Sequence, residues 1–143
     1  MGMFGRHGVP KSRIEVLGRV PMFEGLSRKV LARIDGHCDE IEVGQGETLT
    51  HEGGTSREAF VVAAGDAEIR VGGEVVGHTE PGEMIGDIGV LEKRPRTATV
   101  TALTDMRLLV INGRDLDWLF EDEKLAARVR ENLERHLSGP QPS

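Results

Sequence analysis

The stretch GEMIGDIGVLEKRPRTATV, residues 82–100, gathers groups that suit an anion. Gly82 and Gly86 permit backbone conformations with positive φ and let a ligand come close to the main chain. DIGVLE, from Asp87 to Glu92, predicts one short helical turn whose free N–H groups would point at negative charge. Arg96 supplies a planar cation able to take two phosphate oxygens at once, and Thr97 sets a hydroxyl beside it. Pro95 removes a donor and stiffens the approach to a strand in which Ala98, Val100 and Ala102 share one face and Thr99 and Thr101 the other. The chemistry expected here is phosphate binding rather than bond breaking. No nucleophile–base pair and no paired carboxylates form a recognisable motif, so no catalytic residue is assigned.

GHCDE, residues 36–40, sets His37, Cys38 and Asp39 side by side. Neighbours in a strand or turn point different ways, and no second cluster stands at ligand spacing, so no metal site is expected. A surface turn with one buried thiol is the expected arrangement. His51 and His78 are isolated near turns and read as solvated.

The elements that must position this stretch are legible on both sides. Ile14, Val16, Leu17 and Val20 cluster before Pro21, and Phe23, Leu26, Val30, Leu31 and Ile34 follow at helical spacing, with Ser27 a helix cap and Gly36 a stop. Then DEIEVGQGETLTHEGG, EAFVVAAGDAEIRVGGEVVGHTEPGE and TATVTALTDMRLLVING run as short alternating or apolar segments closed by glycine, asparagine or proline. That rhythm is all-β, with a hairpin around Gly72-Gly73. Helix returns in GRDLDWLFEDEKLAARVRENLERHL, where Leu125, Val129, Leu133 and Leu137 form an apolar stripe. The stripe has three candidate roles: packing on the barrel, covering a ligand, or pairing with a second copy. The predicted organisation is a flexible N-terminus (residues 1–11), a single domain (12–137) and a flexible tail (138–143). Its class is mainly β with flanking helices, a β-roll or jelly-roll barrel.

Bulk composition narrows the partners. The 143 residues suit one domain with a core, and 38% hydrophobic and 29% charged residues read as globular. A formal charge of -6 is the wrong sign for a nucleic-acid binder, which draws affinity from neutralised phosphates. No apolar run approaches membrane-spanning length, and MGMFGRHGVPKSR lacks the apolar centre of a secretory signal. The lone Cys38 fits a reducing compartment, so a cytoplasmic location is expected.

IGDIGVLEKRPRTATV resembles the phosphate-binding cassette of the cyclic nucleotide-binding domain family, the sensor fold of catabolite activator protein-like regulators. VPMFEGLSRKVLARI is similar to the family's helical lead-in, VGQGETLTHEGG to its early strands and turn, and FVVAAGDAEI to its central strand and glycine turn. The C-terminal pair resembles its hinge and lid helices. The order and spacing of these pieces carry the likeness over most of the chain.

The resemblance implies that Arg96 holds a cyclic phosphate, with main-chain N–H groups near Ile88 and Gly89 completing the cradle beside Gly86. It implies that Asp87 accepts the ribose 2′-hydroxyl, that Thr97 reaches the phosphate or a guanine amino group, and that Val62, Val71 and Leu91 line the pocket. The final helix would close over the base, with Arg128, Glu131, Asn132 and Arg135 as candidates to judge it. Departures from the family pattern are Asp87 for its glutamate, Gly89 for its small alanine and Ile85 for its aromatic residue. The residues themselves leave other roles open: Arg96 as an ion-pair partner of Asp87, Thr97 as a strand starter, and Trp118 as a helix anchor or a base cap.

The expected function is a module that senses cyclic AMP or cyclic GMP and signals to a protein partner, or to a second copy, through its C-terminal helices. The alternative is an orphan domain of the same fold that binds no nucleotide and serves protein interaction. The residues after the lid helix, HLSGPQPS, are too few for a helix-turn-helix, so a stand-alone module without a DNA-binding domain is expected, the alternative being a domain excised from a longer protein. No cofactor is expected beyond the regulatory nucleotide.

Overall fold

The computed structural model of the chain describes residues 12–55, 57–86 and 95–137. The expected loose ends and the helical turn expected at 87–92 lie outside the described residues.

Helix α1 (Arg13–Gly18) is started by Ser12, whose hydroxyl accepts the Glu15 N–H. A 3-10 turn follows at Pro21–Phe23, then helix α2 (Arg28–Asp35), capped by Ser27 accepting from Val30 N. Ser27 is the cap expected from the sequence, so Phe23 and Leu26, which the spacing grouped with the helix, precede it. Phe23 instead closes the separate turn, because Gly25 takes a positive φ of 81° and the Ser27 cap starts the helix afresh.

Among the described residues eight strands build two antiparallel sheets. They are β1 (Cys38–Val43), β2 (Thr48–Thr50), β3 (Glu58–Ala64), β4 (Ala67–Val71), β5 (Glu74–His78), β6 (Met84–Ile85), β7 (Thr99–Ala102) and β8 (Met106–Asn112). One sheet runs β1-β8-β3-β6 and the other β2-β7-β4-β5. Between them, Phe60 and Val62 of β3 and Leu108 of β8 pack against Ile69 of β4 and Val100 of β7. The register that sets Val62 opposite Leu108 puts Val61 opposite Leu109 on the reverse face of that sheet, where the helices pack. This is why EAFVVAA reads as continuously apolar: β3 is covered on both faces. The arrangement is the expected β-roll, an open jelly-roll-like pair of sheets with helices on one side.

The β4–β5 hairpin turns through Gly72 and Gly73, with φ of 61° and 83°, the left-handed pair that a tight two-residue turn requires. After β8 a 3-10 helix spans Gly113–Phe120, and helix α3 (Glu123–Leu137) follows. The two are separate because Asp122 caps α3, its carboxylate accepting from Lys124 N and Leu125 N. The described part of the α3 stripe packs on the body through the 3-10 turn at Pro21–Phe23 and the 3-10 helix Gly113–Phe120. Val129 is fully buried, and Leu125 and Leu133 pack beside it against the helical side of the body.

Candidate functional site

The site is assembled from two chain segments that meet at the start of β3. On one side β6 pairs with β3 through Phe60↔Ile85 and Val61↔Met84, which delivers Gly86 beside that strand. Gly82 N donates to Val62 O at 2.8 Å and Val62 N to Glu83 O at 2.9 Å, fixing the approach. Gly86 is buried with φ 86°.

On the other side, Arg96 is held by main-chain bonds before β7 begins. Gly53 N donates to Arg96 O at 2.8 Å, and Arg96 N donates to Gly54 O at 2.9 Å. The guanidinium turns inward and the residue is only 8% exposed. Its Nη2 donates to the Glu58 carbonyl at 2.5 Å, and the guanidinium carbon lies 5.8 Å from the Phe60 ring centroid. Its Nη1 is buried and meets no acceptor among the described residues. A Cβ added to Gly86 would collide with that same Nη1, so the glycine leaves the space the cation fills.

Burial pulls the Arg96 pKa below its ordinary value, and the Glu58 charge works in the opposite direction. The guanidinium remains a cation under any ordinary condition. A buried donor with no acceptor costs on the order of 1–3 kcal/mol. An anion bound against Gly86 would remove that cost. The donor set therefore fits one small, oxygen-bearing anion.

Other residues singled out in the sequence are placed as follows. Thr97 is exposed next to Arg96. Val62 is enclosed in the core between the sheets, while Val71, at the end of β4, is 38% exposed. Asp87, Ile88, Gly89 and Leu91 lie outside the described residues. Cys38 is buried at the start of β1, and His37, Asp39, His51 and His78 are exposed. Among the described residues no three His, Cys, Asp or Glu side chains form a group able to hold a metal ion, and no helix is long and apolar enough to cross a membrane.

Trp118 packs against the helical cluster with the Arg33 guanidinium 3.9 Å over its ring. Of the residues expected to judge a base, all on α3, Arg128, Asn132 and Arg135 meet the lead-in, and Glu131 is exposed. Asn132 is fully buried and donates to Met22 O at 3.0 Å and Glu24 O at 2.9 Å, and Arg135 pairs with Glu24 at 3.1 Å. Arg128 lies against Gly25. Sequence reasoning missed the Glu58 carbonyl, Phe60, Gly53 and Gly54. A main-chain acceptor leaves no trace in residue identity, but the HEGG segment was itself a visible turn signal.

The family model described as "Cyclic nucleotide-binding domain" matches residues 40–123. A protein named as a cAMP-dependent protein kinase regulatory subunit, from Mycosarcoma maydis, is 37% identical over 99 residues, covering 64% of this chain and 19% of its own. A protein named as a candidate potassium channel protein, from Rhodopseudomonas palustris, is 34% identical over 116 residues, covering 79% of this chain and 28% of its own. The chain thus spans less than a third of either relative. The crystal structure of the N-terminal domain of a transcriptional regulator from Streptomyces coelicolor A3(2) superimposes with a TM-score of 0.77 at 29% identity, covering 86% of this chain and 92% of that one.

Proposed function

Because the chain belongs to the cyclic nucleotide-binding domain family, we propose that it binds cyclic AMP or cyclic GMP, with Arg96 as the phosphate-holding cation. The observation that carries this reading is the buried Nη1 of Arg96, which lacks an acceptor among the described residues and lies over the side-chain-free face of Gly86. A phosphate oxygen on Nη1 would complete the guanidinium, whose other arm is already held by the Glu58 carbonyl. Thr97 adds a hydroxyl at the rim. Asp87 is assigned to the ribose 2′-hydroxyl, and the amides of Ile88 and Gly89 to the phosphate, on the resemblance alone. Val62, Val71 and Leu91 are assigned to the apolar wall on the same ground.

The output of such a sensor is a shift in the arrangement of the C-terminal helices, read by a protein partner. Ligand moves that equilibrium only by its difference in affinity for the two arrangements. The experiment is calorimetric titration of the chain and of Arg96→Ala with cyclic AMP, cyclic GMP and 5′-AMP. Saturable heat from a cyclic form in the parent chain, absent in the variant, is the expected result. Heat from neither cyclic nucleotide in the parent would turn the reading to a protein-interaction module of the same fold.

A further inference from the structure

We propose that Glu52 is a positioning residue for the anion site: it holds the turn that holds Arg96. The proposal rests on the reading of Arg96 as the anion-binding cation. Arg96 stands before β7, and its backbone is gripped from the facing turn by the Gly53 N–H and the Gly54 carbonyl. Two successive glycines make that turn a soft support unless something else fixes it. Glu52, the residue before them, supplies two ties. Its N–H donates to Thr99 Oγ1 at 2.9 Å, anchoring the turn to β7. Its Oε1 accepts the Gly72 N–H at 2.9 Å, joining the same turn to the tip of the β4–β5 hairpin. Thr50 Oγ1 donates to Ala98 O at 3.0 Å and closes the near side.

The carboxylate can be removed by a side-chain change without touching a bond made by Arg96 itself or the ties of the turn to β7. Its contact with Gly72 is exposed, so global stability depends on it little. What it sets is the local order of the turn. A guanidinium already aimed at its anion binds more tightly than one that must be ordered on binding.

The test uses the full chain with Glu52→Ala and Glu52→Gln. Two readouts are taken: exchange of the Gly53 and Arg96 amide hydrogens by NMR, and calorimetric affinity for cyclic AMP and cyclic GMP. In Glu52→Ala both amides should exchange about tenfold faster and affinity should fall about tenfold. Glu52→Gln keeps an acceptor oxygen and should restore both readouts to within about threefold of the parent. Unchanged amide exchange in Glu52→Ala overturns the proposal. So does full affinity in that variant, or a Gln variant no better than Ala, which would mean that charge rather than position matters. If the parent takes up neither nucleotide the proposed function falls, and amide exchange alone decides whether Glu52 holds Arg96.

Discussion

Gly86 and Arg96 share one space: a Cβ on the glycine would stand where Nη1 of the arginine lies. The glycine sits at φ 86°, where an L side chain adds about 1–2 kcal/mol of strain. Gly86→Ala must therefore push the guanidinium off its place, and the far end of a flexible side chain can move. The fold should survive with its melting temperature lowered by several degrees, while cyclic nucleotide affinity falls by at least about tenfold. Calorimetry on the variant checks both, and full affinity with alanine in place would detach Gly86 from the site.

Arg96 itself should divide stability from binding. Its charge is buried, one arm lacks an acceptor among the described residues, and burial already lowers its pKa. Arg96→Met fills similar volume beside Phe60 without a cation to desolvate. The melting temperature should not fall, and nucleotide affinity should drop by about a hundredfold or more as a charge-assisted pair is lost. A marked fall in melting temperature would make Arg96 a structural residue first.

How much of this was legible in the sequence depended on the range of the interaction. Ser27 could be read as a cap and Gly72-Gly73 as a hairpin because each signal acts within a few residues. The apolar run of β3 was readable because its cause, cover on both faces, falls on consecutive residues. What stayed hidden was long-range and carried by the main chain. The bond from Arg96 to the Glu58 carbonyl spans 38 positions and would look the same with almost any residue at 58. The destination of α3 was hidden too, since an apolar stripe names no partner. Asn132, read as a candidate for contacting a base, is instead committed to two lead-in carbonyls.

Asp87 can be tested from the resemblance alone. If its carboxylate holds the ribose 2′-hydroxyl, a longer arm should reach better. Asp87→Glu is expected to tighten binding by about tenfold, the worth of one improved charge-assisted hydrogen bond. Competition titration against the parent chain measures this. Weaker binding would assign the ribose to another group.

Asn132 supports a prediction about the C-terminal helix. Leucine has similar size but no donor, so Asn132→Leu strands the buried carbonyl of Met22 and removes the bonds that join Asn132 to the Glu24 carbonyl and to Arg135 Nη2. A stranded buried carbonyl costs about 1–3 kcal/mol. The loss should appear first as faster hydrogen exchange in 123–137, with the sheets still protected. Uniform change across the whole chain would mean that α3 is not a separately opening unit.

Cys38 gives a pH signature that has nothing to do with ligand. Its thiol is enclosed, donates to Ile34 O at 3.4 Å, and is pushed by burial from 9.0 up to about 12, against the opposing pull of the Arg13 charge. Between those two values the unfolded chain gives up the thiol proton and the folded chain keeps it, so the unfolded state gains. The stability tied to the thiol is therefore complete below 9.0 and is lost as pH rises toward about 12. Cys38→Ala removes this dependence. Urea unfolding of the two chains should show a constant stability gap near neutral pH that narrows above 9.0. In the folded parent a thiol reagent at mildly alkaline pH should react slowly, and quickly once urea opens the core. Rapid labelling under native conditions would place the thiol at the surface and contradict its burial.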